Sequence, residues 1–166
     1  LLSSNLGELM TMFVAVAIGL ASPLKSSHIL WINLITDSLP ALALGVDKND
    51  SKSLMRCPPR KASESLFARG GIACTLFYGA LITVIGLAAF LVLPCGILAA
   101  EGELVGNPFT WVERLRELMS REQILAKSQT YAFTVLGMCQ LYHAIGMRDV
   151  QKSVFAMSPR DNLLMV

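Results

Sequence analysis

Charge is scarce in this sequence. Only 16% of its 166 residues are Asp, Glu, Lys or Arg, where ordinary globular domains carry about 25%. With 54% hydrophobic residues and a mean hydropathy of +0.55, that deficit points to lipid as the solvent for much of the chain. The net charge of +2 is too small to suggest a nucleic-acid partner, and no basic cluster is interleaved with aromatics. Cysteine is sparse as well. Cys57, Cys74, Cys95 and Cys139 form no CxxC pair and fall in different loops and helices, so neither a disulfide framework nor a zinc site is favoured. Repeats, low-complexity stretches, an initiator Met and a signal peptide are all lacking. Leu1 opens inside a helical pattern, and Leu163-Leu164-Met165-Val166 reads like the start of another apolar helix. The expectation is a fragment of a longer protein.

What the sequence has instead is apolar length. Against the roughly 20 residues needed to cross a bilayer, four segments are expected to span it: about 1–20, 28–45, 66–93 and 130–147, with a fifth beginning after Pro159. The third is the cleanest, without a charge from Gly70 to Leu93. The predicted fold class is therefore all-α, a polytopic transmembrane helix bundle. The loop over 46–65, with its charges counted on to Arg69, carries Lys48, Lys52, Arg56, Arg60, Lys61 and Arg69 against Asp47, Asp50 and Glu64. Arg148, Lys152 and Arg160 follow the fourth segment, whereas residues 95–129 hold five acids and four bases. By the positive-inside rule, residues 46–69 and 148–160 face the cytoplasm, and residues 22–27 and 95–129 face outward. Pro23, Pro58, Pro59, Pro94 and Pro159 fall near segment ends, where proline is tolerated. Residues 111–127 are predicted to form an amphipathic helix on the outer surface.

Five side chains break the apolar pattern in a chemically coherent way. Asn33, Thr36 and Asp37 stand at i, i+3 and i+4 and share one face of a regular helix; Asn5 and Glu8 do so on the segment before. A short loop joins the two segments, which are expected to be antiparallel neighbours with these groups facing each other. An ionised carboxylate inside a span costs about 2.5 kcal/mol or more, which makes Asp37 a functional residue by default. An Asn or Thr alone is as a rule an interhelical hydrogen bond, and Glu8, so near the start of the chain, has snorkelling to the interface open to it. The grouping argues for more. Hard cations such as Ca²⁺ take six to eight oxygens, often from mixed ligand sets, and no Cys or His pair accompanies these residues to suit a softer metal. Pro40 cannot donate to the carbonyl of Thr36, and freed carbonyls of that kind coordinate ions in transporters. Gln140 and His143 in the fourth segment read, by themselves, as packing residues.

The strings Ser3-Ser4-Asn5-Leu6-Gly7-Glu8 and Trp31-Ile32-Asn33-Leu34-Ile35-Thr36-Asp37-Ser38-Leu39-Pro40-Ala41-Leu42-Ala43-Leu44-Gly45 closely resemble type II P-type cation ATPases. The resemblance is nearest to the sarco/endoplasmic reticulum calcium pumps and their bacterial relatives, and Arg56-Cys57-Pro58-Pro59-Arg60 looks like that family's proline-arginine motif. It covers the whole chain, is specific in residues 3–8 and 31–45 and is loose beyond residue 66. It implies the end of the fifth membrane helix, the sixth to eighth complete, and the start of the ninth. By position, Asn5 and Glu8 match fifth-helix ion ligands, and Asn33, Thr36 and Asp37 match sixth-helix ligands, with Asp37 shared between two ion sites.

Two positions depart from the pattern. Gln140 stands where the two-site pumps have a glutamate, as in the plasma-membrane type, which leaves the second ion open. Ser38 replaces a frequent glycine. Asp50 resembles an acidic residue of the coupling loop. The resemblance also implies Ca²⁺ as transported ion, with Na⁺ or Mn²⁺ as alternatives, and ATP and Mg²⁺ held by domains whose Asp-Lys-Thr-Gly-Thr motif is absent from this sequence. The expected partners are the bilayer and the pump's remaining helices and cytoplasmic domains. The expected location is a multi-pass membrane protein, in the plasma membrane if bacterial. The fragment alone is expected to hydrolyse nothing. From a different class, a non-enzymatic channel or regulatory membrane subunit fits the same segments.

Overall fold

Small residues decide where the first helix sits. The computed structural model describes residues 2–46, 70–102 and 108–147, without the side chains of Asp37, Pro108 and Phe109. In chain order the elements are α1 (Leu2–Ala17), α2 (Ser26–Ile32), a π-helical turn (Asn33–Asp37), α3 (Ser38–Gly45), α4 (Gly71–Ala100), α5 (Pro108–Ser120) and α6 (Glu122–Gly146), with no strand among the described residues. Ser4, Gly7, Glu8, Thr11 and Ala15 form the buried stripe of α1, at the three- and four-residue spacing of one helix face. It lies along Gly79, Ile82, Thr83 and Gly86 of α4. The glycines leave room for side chains of the facing helix, Gly7 for Ile82 and Gly79 for Leu6, as small residues do in membrane helix pairs.

Helix α4 is the spine, packed on α1 at one side and on α6 at the other. Its 30 residues extend about 45 Å at 1.5 Å per residue, beyond a hydrocarbon layer of roughly 30 Å. Among the described residues it is the one helix long and apolar enough to cross a membrane; α1 is apolar but shorter. The count of four spans therefore rests on the sequence reading. The core runs from Ile82, Phe90 and Leu98 through Ala132 and Leu136 to Ile32, then to Leu20, Leu24, Leu115, Leu118 and Met119.

Several segment boundaries move. Helix α1 closes as a Schellman motif: Leu20 N–H donates to the Ala15 carbonyl and Gly19 N–H to that of Val16, both at 2.9 Å, with Gly19 at φ 84°. Glycine reaches that left-handed conformation without a Cβ penalty. The third segment does not stop at Leu93 but continues through buried Pro94 to Ala100, because residues 95–100 are themselves apolar apart from one thiol. The amphipathic helix ends at Ser120 rather than near 127. Arg121 is extended, with φ −78° and ψ 112°, and a new helix starts at Glu122, whose charge suits a helix N-terminus. Ile124 and Leu125 accordingly pack on the core as part of α6. The described part of residues 95–129, expected from sequence as a loop, is thus almost wholly helical. Residues 47–69 and 148–166, with Asp50, the proline-arginine motif and the start of the fifth segment, lie outside the described residues.

Candidate functional site

Gln140 joins the two polar segments. Its Nε2 donates to Glu8 Oε1 at 2.5 Å, and its Oε1 lies 2.6 Å from Thr36 Oγ1. All three side chains are inside the protein, Glu8 at 5%, Thr36 at 6% and Gln140 at 1% exposure. They come from α1, the π-helical turn and α6, so the cluster depends on tertiary packing and not on one helix. The expected pairing of the first two segments is realised only through this third helix. Helix α1 packs mainly on α4, while α2, the π turn and α3 lean on α6.

The wide turn has a local cause. Pro40 has no N–H for the Thr36 carbonyl, and the backbone just before it adopts the i→i+5 pattern over Asn33–Asp37. Such single π turns cluster at functional sites. The helix is widened rather than unwound, and the widening changes which side chains share a face. Thr36 is buried, whereas Asn33 is exposed. Asn5 is exposed too, on the stripe of α1 that carries Leu2, Leu9, Phe13 and Val16. Of the six residues assigned to the site, Glu8, Thr36 and Gln140 meet; Asn5 and Asn33 turn away from them, and the Asp37 side chain lies outside the described residues.

Below the cluster is a cavity of about 40 Å³, lined by Ser4, Thr36, Pro40, Gln140 and His143 among others. It has room for a few waters, each needing about 10–15 Å³. His143 Nε2 lies 2.8 Å from Ser3 Oγ and its ring packs on Tyr78, with centroids 4.7 Å apart. Sequence reasoning misses Ser3, Ser4 and Tyr78 as neighbours of the site. Only the closeness of the Ser3-Ser4 pair to Glu8 along the chain could signal the two serines. No group of three or more His, Cys, Asp or Glu suited to a metal occurs among the described residues; the cluster sets the Glu8 carboxylate beside the neutral oxygens of Thr36 and Gln140.

The match to known proteins is direct. The family model for the C-terminus of cation-transporting ATPases covers residues 21–166. The chain belongs to this family. Over its whole length it is 41% identical to "Calcium-transporting ATPase 1" of Bacillus cereus (strain ATCC 10987 / NRS 248), covering 18% of that protein. It is 34% identical to "Calcium-transporting ATPase" of Bacillus subtilis (strain 168), covering 16%. It is 30% identical to "Calcium-transporting ATPase 3, endoplasmic reticulum-type" of Arabidopsis thaliana, covering 17%. The chain thus spans less than a fifth of these relatives' length. No solved structure matches it. For a P-type ATPase C-terminal region, the Glu8–Gln140–Thr36 chain is the arrangement of interest, because it is a buried side-chain network that joins three of the described elements.

Gln140→Leu removes both hydrogen bonds at once, taking one partner from Glu8 and one from Thr36, which keeps its bond to the Ile32 carbonyl. An unsatisfied buried group costs about 1–3 kcal/mol. Where the Gln140 carbonyl oxygen also serves as an ion ligand, the expected result is a roughly fivefold or greater loss of apparent cation affinity in the full-length protein, read from ion-dependent phosphorylation. Gln140→Glu keeps the reach but replaces the donor to Glu8 with an acceptor, so without a cation the pair is satisfied only when one of the two carboxyls is protonated.

Proposed function

We propose that this chain is the ion-binding membrane part of an ATP-driven pump that exports Ca²⁺ from the cytoplasm. The observation that carries the reading is the buried carboxylate of Glu8, held by Gln140 and linked through it to Thr36. The names of the relatives support Ca²⁺ as cargo. In this reading the four segments span the bilayer, with residues 46–69 and 148–160 cytoplasmic and 95–129 outward. Asn5 and Asn33, on exposed faces open to the pump's remaining helices, and Asp37 complete the ligand set. ATP and Mg²⁺ act on domains that this chain does not include.

Mechanistically, oxygens 2.5–2.6 Å from their partners leave no room for a cation among them, so binding has to replace these hydrogen bonds. Gln140 must then turn its carbonyl oxygen to the ion, and Thr36 its lone pairs. Phosphorylation of the distant domain would shift the helices, withdraw some of the oxygens and release the ion outward.

A count of hydrogens supports proton counter-transport. Thr36 Oγ1 is 2.6 Å from both the Ile32 carbonyl and Gln140 Oε1, yet a hydroxyl has one hydrogen. If Glu8 is protonated and the amide of Gln140 is reversed, every group is satisfied: Glu8 donates to the amide oxygen, the amide nitrogen donates to Thr36, and Thr36 donates to Ile32. A carboxylate that loses its cation in a buried site takes up a proton, because an unpaired buried charge is costly.

The test is phosphorylation of the full-length protein from ATP against a series of cations. Ca²⁺ at micromolar levels should support phosphoenzyme formation in preference to Na⁺ and Mn²⁺. Dependence on Na⁺ or Mn²⁺ with no response to Ca²⁺ would transfer the reading to a pump for that ion. No phosphoenzyme under any cation would refute the pump.

A further inference from the structure

The loop between the two ion-carrying segments is held from outside its own helices. Arg116 Nε of α5 donates to the Gly19 carbonyl at 2.9 Å, and Gln129 Nε2 of α6 donates to the Ser22 carbonyl at 2.9 Å. Only the amide nitrogen of Gln129 can make that bond, since a carbonyl accepts and never donates. The guanidinium lies so close that a Cβ on Gly19 would fall 2.1 Å from Arg116 Nη2 and displace its flexible end, while the φ of 84° is what calls for glycine there. Beneath these two bonds Leu20 and Leu24 of the loop are buried in one cluster with Leu115, Leu118 and Met119 of α5. Pro23 is fully buried between them in sequence. Helix α5 is otherwise a surface element. Its charged side is open, and its Arg114–Glu117 pair, at 3.0 Å with both partners more than half exposed, contributes little.

We infer that α5 and the start of α6 form a clamp that keeps the loop over residues 18–25 closed through Arg116 and Gln129, and that Arg116 is a positioning residue for ion release. This rests on the proposed pump function and on its outward placement of residues 95–129. The loop ties the end of α1, which carries Glu8, to the start of α2, which leads to Thr36. Any outward opening that separates those two segments must carry the clamp with it or break it. A charged donor on a backbone carbonyl is a strong hydrogen bond, yet it sits at the protein surface, where it can be exchanged for water. That combination suits a contact made in one state of a gate and lost in another.

The experiment uses the full-length protein reconstituted in vesicles, with Arg116→Ala and Arg116→Lys, each also carrying Ser22→Cys. For Arg116→Ala, labelling of Ser22→Cys by a membrane-impermeant thiol reagent should quicken at least fivefold, counted against protein without that cysteine. Ca²⁺ moved per ATP should fall at least twofold and passive Ca²⁺ efflux should rise, while the Ca²⁺ dependence of phosphorylation stays within twofold of the parent. Arg116→Lys, which still donates to the carbonyl, should restore most of the coupling. Unchanged labelling with unchanged Ca²⁺ per ATP would overturn the clamp. So would a parallel fall of phosphorylation, ion affinity and transport, the mark of a merely structural residue. Faster labelling in a protein that never responds to Ca²⁺ would uphold the clamp and refute the Ca²⁺ pump reading instead.

Discussion

Alanine at Glu8, or asparagine at Asp37, is expected to remove Ca²⁺-dependent phosphorylation of the full-length pump while leaving its helices inserted. Glu8 is 5% exposed and is held by Gln140, so its carboxylate is fixed in a low-dielectric setting before any ion arrives. With a cation bound, removing the carboxylate deletes one partner of a buried charge pair, which costs about 3–5 kcal/mol, roughly a hundred- to several-thousandfold in affinity at 1.4 kcal/mol per tenfold. Alanine at Glu8 also strands the amide of Gln140, so the loss should exceed that of Gln140→Leu. Asp37 sits on the π turn beside Thr36, and its substitution by Asn keeps the shape while deleting the charge. The measurement is phosphoenzyme formed from ATP across free Ca²⁺ concentrations, with membrane insertion checked by protease protection. Parental Ca²⁺ dependence in either variant would sink the ligand role of that residue.

How far the sequence went is best judged from individual residues. Glu8 and Thr36 were legible because polar groups at helical spacing in an apolar run are costly unless they meet partners inside the bundle. Asn33 was placed with them by assuming a regular helix, and the π turn ahead of Pro40 breaks that assumption: Asn33 is exposed and Thr36 buried. Gln140 looked like packing until position in a family was considered. Its partners lie 132 and 104 residues away, a distance over which local pattern carries no information. The clamp was invisible for the same reason, although Gly19 does mark the end of a helix. Boundaries failed where apolar runs continued past a punctuating residue, as at Pro94, or where one backbone angle pair divided two amphipathic stretches, as at Arg121.

Bulk at Gly7 should damage both stability and ion binding, for one mechanical reason. A Cβ there would lie 2.6 Å from Ile82 Cγ2, 2.8 Å from Ile82 Cβ and 3.3 Å from the Gly79 carbonyl oxygen. Ile82 is itself 3% exposed and packed in the core, and the Gly79 carbonyl is backbone, so neither can yield cheaply. The Gly7 carbonyl also accepts from Thr11 Oγ1 at 2.7 Å and lies 3.3 Å from Thr83 Oγ1, whose one hydrogen has the Gly79 carbonyl nearer at 2.8 Å, so α1 and α4 are in close contact at this level. Overpacking of a tight core costs about 1–3 kcal/mol, and relief requires α1 to move off α4. The next residue is Glu8, whose 2.5 Å bond to Gln140 does not survive a displacement of about an ångström, since hydrogen bonds are lost beyond roughly 3.2–3.5 Å. Gly7→Val in the full-length pump should therefore lower its resistance to heat and weaken Ca²⁺-dependent phosphorylation at least tenfold. Gly7→Ala should show a smaller version of both losses. Ile82→Ala, which opens the space opposite, separates this from a nonspecific effect. Residues in contact couple by about 0.5–3 kcal/mol, so Gly7→Ala with Ile82→Ala should be less harmful than the two losses added together. Strict additivity would mean that the α1–α4 contact does not set the position of Glu8.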